Sequence, residues 1–245
     1  MSGTTVRPVR RRSVRTFVPP QHGAWAMLLV PYLAGLTVAG FRWPDLPLLG
    51  AWLCGYLLSY FGFQAVKTRR PGRYREPLLL YAPLTVAFAV PVLVGSPRVL
   101  VFAPVYAVLI AVNAVYALRR RERALVNDLA SVVQSCLIIP VVAVIAELPV
   151  TEVLPAALVV LLYFTGTVLY VKTMIRERGV SAYILASVVF HMLALAAVSP
   201  LGPVPALVFA LLLARAWLLP GRPLTPKRVG LLEIAASVLV LIAIA

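Results

Sequence analysis

From Phe17 onward the chain alternates between long apolar runs and short polar connectors. Each run is roughly 17–22 residues, enough to cross a hydrocarbon core as a helix. Nine such runs are read: His22–Gly40, Pro47–Val66, Pro77–Ser96, Val99–Leu118, Leu125–Ala146, Val153–Val171, Ser181–Ser199, Pro203–Leu219 and Val229–Ala245. The pattern predicts an all-α, polytopic membrane helix bundle of about nine transmembrane helices. Residues 1–18 are expected to form a flexible basic tail, and residues 19–245 a single transmembrane helical domain. The first run continues from Ala24 to Gly40 without a small-x-small cleavage site, so it reads as a retained span. No internal repeat is visible, which weighs against a transporter built from inverted repeats.

Composition agrees. The 245 residues are 62% hydrophobic, with a mean hydropathy of +0.95, too apolar for a soluble domain of this size. The net charge of +15 would suggest nucleic acid in a soluble protein, but here the cations sit in the connectors and no RNA or DNA module is present. Of 23 basic residues, 20 fall in the tail and the four connectors on its side; Arg42 and Arg98 fall on the other side and Arg215 within a span. That bias predicts the cytoplasmic (cell) membrane, with the N-terminus in the cytoplasm and the C-terminus outside. Cys54 and Cys136 lie within spans without metal or redox spacing. Pro31, Pro83, Pro91, Pro104 and Pro140 lie inside spans, where each frees a backbone carbonyl.

The polar residues within the runs carry what functional signal there is. Gln21 and His22 open the first run, with Trp25 one turn further on. Asp128, Ser131 and Ser135 share one face of the fifth run, and Asn127, Ser131 and Gln134 an adjoining stripe. Asn127 and Asp128 also suit a helix cap. Gln64 and Lys67 end the second run, Asn113 lies near the end of the fourth, and Lys172 and Arg176 end the sixth, four apart. All these clusters lie at the same ends of their spans, while the opposite halves are aliphatic. The asymmetry predicts a cytosol-facing polar cavity over an apolar floor. Its cations suit phosphate or carboxylate and its floor an acyl or prenyl tail, so an anionic amphiphile is the expected ligand, among surrounding membrane lipids. The same features also serve orientation and attract acidic lipids without a pocket. Arg215 and Glu233 lie at similar depth in sequential spans and predict a buried structural pair. His191 follows Ser187 by one turn and reads as a helix–helix hydrogen-bonding group. No ligand set has metal spacing, so no metal or cofactor is expected.

Pro20-Gln21-His22-Gly23-Ala24-Trp25-Ala26-Met27-Leu28-Leu29, then Asn127-Asp128, then Thr167 to Arg178 resemble the YwiC-like family of bacterial membrane proteins over most of the chain after Phe17. More distantly, nine spans with polar ends on one side look like the UbiA prenyltransferase fold. That likeness implies two aspartate-rich motifs holding magnesium diphosphate. The matching stretches, Tyr60 to Lys67 and Tyr170 to Arg176, contain no aspartate, so those ligands are not carried over.

The reading is a membrane protein with a pocket for an anionic lipid-like ligand. Gln21, His22, Trp25, Gln64, Asn113, Asn127 and Ser131 line it, and Lys67, Lys172 and Arg176 hold the anion. Asp128 serves as base or cap, and His22 is the first candidate for proton transfer. Whether a reaction is catalysed stays open. The competing readings are a small-molecule transporter and a ligand-free scaffold.

Overall fold

The computed structural model describes residues 17–19 and 22–245, the side chain of His22 excepted. The expected Gln21 position and nearly all of the basic tail therefore lie outside the described residues. Among the described residues there are helices and turns and no strand.

The helices are α1 (His22–Ala39), α2 (Asp45–Thr68), α3 (Arg75–Gly95), α4 (Ala103–Leu118), α5 (Leu125–Cys136), α6 (Ile138–Ile145), α7 (Val150–Val171), α8 (Ser181–Val198), α9 (Pro203–Leu218) and α10 (Pro226–Ile244). Each of the nine runs has its helix, with the fifth divided into α5 and α6. Among the described residues six helical segments are long and apolar enough to cross a membrane; α1 and α9 are shorter apolar helices. This is a helical membrane bundle.

Proline explains several local departures. Pro140 lacks an N–H for the carbonyl of Cys136 and crowds it, and the helix breaks at Leu137 between α5 and α6. Pro31 likewise frees the carbonyl of Met27 in α1. Ser135 of α5 donates its hydroxyl to that carbonyl, so a neighbouring helix supplies the lost hydrogen bond. Trp52 of α2 donates its Nε1 to the adjacent carbonyl of Leu28 at 3.1 Å. A sequence that looks helix-breaking is thereby stitched to two neighbours.

The core lies around α1, α6 and α7. Ala34, Ile139, Val142, Ala143, Val153 and Val160 are fully enclosed. Gly35 lets α1 approach α6 closely, since a Cβ there would stand 3.1 Å from the Val142 Cβ. α8, α9 and α10 flank α7 on one side, and α5, α4 and α2 extend from the other. The α5–α6 span is 56% buried and α7 50%, but the spans of α3 and α4 only 11% and 6%. Their exposed side chains are aliphatic, such as Leu79, Val94 and Val108, as suits contact with lipid tails.

Candidate functional site

The basic connectors meet at one end of the bundle. The hub is the α4–α5 connector, whose sequence Arg119-Arg120-Arg121-Glu122-Arg123 has a single acid among its arginines. The Glu122 carboxylate accepts from Lys67 at the end of α2 at 2.6 Å. The Glu122 carbonyl accepts from the Asn127 amide at 2.8 Å. The neighbouring carbonyl of Arg123 accepts from Lys172 Nζ at 2.8 Å, and the same ammonium pairs with Asp128 at 2.8 Å. On the far flank Arg178 donates to the Arg222 carbonyl at 2.7 Å. Two consecutive residues thus tie together the ends of α2, α5 and α7.

Beneath the hub runs a polar seam between α4 and α5. Ser131 donates to the Asn113 side-chain oxygen at 2.9 Å and lies within 2.9 Å of the Asn127 carbonyl. Asn113 donates to Gln134 at 3.1 Å and to the Leu109 carbonyl at 2.9 Å. The side-chain oxygen of Asn127 is buried with no partner. These groups hold each other inside apolar surroundings, where an unpaired amide is costly.

The structure therefore brings Lys67, Asn113, Asn127, Asp128, Ser131 and Lys172 into one connected network. Others lie apart. Trp25 meets Tyr56 edge-on at 6.3 Å and packs on the α2–α3 aromatic cluster of Leu57, Phe61 and Tyr81. Gln64 accepts from the Thr68 hydroxyl through its backbone carbonyl at 2.8 Å. Arg176 is exposed, although Lys172, four residues before it, is only 5% exposed. Both lie in a π-helical turn over Lys172–Arg176, but Arg176 is its last residue, where the helix ends. Asp128 is no cap: α5 starts after Ala124 without a side-chain cap, and Asp128 in its first turn faces Lys172. His22 begins α1, and its side chain lies outside the described residues. Sequence reasoning passed over Glu122, whose only signal is its isolation among arginines.

A second polar centre lies between α7, α8, α9 and α10. Arg215 pairs with Glu233, as their matching depths predict. Thr167 of α7 donates to the other Glu233 oxygen at 2.9 Å. Tyr163 lies 2.9 Å from the Ser237 hydroxyl and donates to the Glu233 carbonyl at 3.1 Å. The Arg215 guanidinium lies over the Tyr170 ring at 4.2 Å. His191 engages the Ser187 carbonyl through Nδ1 at 2.7 Å. Gly166 makes room for the imidazole, since a Cβ there would stand 2.9 Å from Nε2. Among the described residues no cluster of His, Cys, Asp and Glu could hold a metal ion.

One open hollow of about 650 Å³ lies at the opposite end of the bundle, between Pro97, Arg98 and Val101 and the α6–α7 connector with Val144, Glu147, Leu148 and Pro149. A smaller one of about 350 Å³ is lined by Leu224, Arg228, Leu231 and Leu232. Neither is lined by the residues expected to form the pocket.

A family model described as YwiC-like protein matches residues 18–143. An uncharacterised protein of Haemophilus influenzae is 34% identical over 226 residues, covering 91% of this chain and 95% of that one. The uncharacterised protein YwiC of Bacillus subtilis is 31% identical over 229 residues, covering 90% of this chain and 93% of that one. No solved structure matches, so the UbiA likeness gains no support.

Proposed function

The chain belongs to the YwiC-like family, and on that premise we propose a multi-pass protein of the cytoplasmic membrane. Its basic end faces the cytosol and receives the head group of an anionic amphiphile, either a lipid or a prenyl phosphate-like molecule. The observation that carries this reading is the tying of separate connectors into one cationic rim through Glu122, Arg123 and Lys172. Lys67 and Lys172 are matched by carboxylates, whereas Arg176, four residues after Lys172, is exposed. Arg176 therefore makes the first contact with a phosphate or carboxylate. The two lysines follow by exchanging Glu122 and Asp128 for the ligand, a trade between equally charged partners. Asn127, with its unpartnered side-chain oxygen, accepts a head-group hydroxyl. Gln21 and His22, read from the sequence, belong to the same proposal as further head-group contacts. The apolar tail lies against the exposed aliphatic faces of the neighbouring spans.

The test is lipid mass spectrometry of the purified protein. Arg176→Gln should strip the retained anionic species, while Arg98→Gln, at the opposite end, should not. Equal retention by both variants removes the head-group site. Reversed orientation, seen by cysteine labelling of the basic connectors from outside intact cells, removes the cytosolic placement.

A further inference from the structure

The open hollow of about 650 Å³ at the end opposite the basic connectors has an arginine in one wall and a glutamate in the other. Arg98 belongs to the 3-10 turn Pro97–Phe102 that precedes α4, and Glu147 to the connector between α6 and α7. Both are exposed, and neither side chain has an ion pair among the described residues. Glu147 stands where its own fold disfavours it. Its N–H bonds the Val144 carbonyl at 3.2 Å and the Leu148 N–H bonds the Ala143 carbonyl at 2.9 Å, the pair that closes a helix through a left-handed residue. Glu147 is that residue, with φ of 61°, a conformation that suits glycine. Its carboxylate also meets the negative end of the α6 dipole. A cation in the hollow would offset that repulsion.

The surroundings indicate what carries the cation. The rest of the lining, Pro97, Val101, Val144, Leu148 and Pro149, is apolar. From Val101 an exposed aliphatic strip continues along α4 through Val105 and Val108, at i+4 and i+7. Phe41 and Trp43, exposed on the α1–α2 connector at the same end, are the aromatic types that collect where a membrane meets water.

We propose that the hollow seats the head group of a zwitterionic phospholipid with a primary ammonium, of the phosphatidylethanolamine type. Arg98 takes the phosphate and Glu147 the ammonium, and one acyl chain lies along Val101, Val105 and Val108. The two wall charges disfavour the near alternatives. An anionic head group brings no cation to Glu147, and a choline head group brings a cation with no N–H to donate. The site lies at the far end from the cationic rim and does not rest on the amphiphile reading.

The experiment is native mass spectrometry of the full chain, released from mixed micelles holding equal amounts of phosphatidylethanolamine and phosphatidylcholine with the same acyl chains. The wild type should retain phosphatidylethanolamine about threefold over phosphatidylcholine, the share of one ion pair at a wet site. Glu147→Gly suits the left-handed backbone, so the variant should fold at least as well and lose that preference. Arg98→Gln should weaken retention of both lipids alike, about threefold, because both carry the phosphate. Glu152→Gln, an acid in the first turn of α7 outside the hollow, should leave the preference intact. The proposal is overturned by equal retention of the two lipids by the wild type, by a preference that survives Glu147→Gly, by one lost equally in Glu152→Gln, by retention unchanged in Arg98→Gln, or by free phosphoethanolamine displacing the lipid at equal concentration.

Discussion

An ion pair lies on each flank of α7, and the two are built on different terms. At the basic end Lys172 is buried, but its partner Asp128 keeps 28% of its side chain exposed. Deeper in the bundle both members are enclosed, Arg215 at 9% and Glu233 at 14%. The first pair has a wet carboxylate and a dry ammonium; the second is dry on both sides. A dry charge without its partner is the expensive state, whereas a hydrated one is nearly indifferent. The outer pair should therefore respond unequally to loss of its two members, and the inner pair equally.

The largest effect should come from the inner pair. Glu233→Leu leaves Arg215 buried and uncompensated and should cost about 3–5 kcal/mol of stability, measured by unfolding in detergent or bicelles. The paired variant Arg215→Met with Glu233→Leu should recover most of that loss, because two apolar groups replace two charges. Next is Asp128→Asn, which leaves a buried ammonium with neutral acceptors and no counter-charge and should cost about 1–3 kcal/mol. Lys172→Met should cost less than about 1 kcal/mol, because Asp128 remains hydrated at the positive end of α5. Equal losses for these two outer variants would erase the contrast.

The smallest effect belongs to Lys67–Glu122, a half-buried pair at the water-facing end worth about 0–1 kcal/mol. Burial pushes the Glu122 carboxyl up, but the Lys67 ammonium, the residue's own backbone N–H and the nearby Arg123 charge outweigh it and hold the group below its ordinary 4.5. A lowered folded value means the contribution is complete above 4.5 and disappears as pH falls through that folded value. Acid titration of the unfolding midpoint should show a small fall in that window, and Glu122→Gln should flatten it.

Much of the architecture can be read from hydropathy, because lipid forces each span to be long, apolar and helical. Hence the helix positions match the runs, and the seam from Asn113 to Ser131 follows from residues sharing helical faces. Arg215 and Glu233 could be paired by depth alone. The direction of a side chain at a helix end is another matter. The four-residue spacing of Lys172 and Arg176 implies one face but not one depth: Lys172 is buried within the bundle and Arg176, at the end of the helix, is exposed. Asp128 looks like a cap because of its type and place, yet its partner comes from a segment 44 residues away. Gln21 and His22, on which the sequence reading leaned most, lie beyond what the structure describes at side-chain level.

The widened turn at Lys172 has a consequence for how this chain tolerates change. One surplus residue is taken up where the Glu177 N–H bonds the Lys172 carbonyl, five residues back. Deleting Met174 would restore the tighter winding and turn the following segment, with its Arg178–Arg222 tie, by about 100° around the helix axis. Length here matters more than identity: most substitutions should pass, while a one-residue deletion should not.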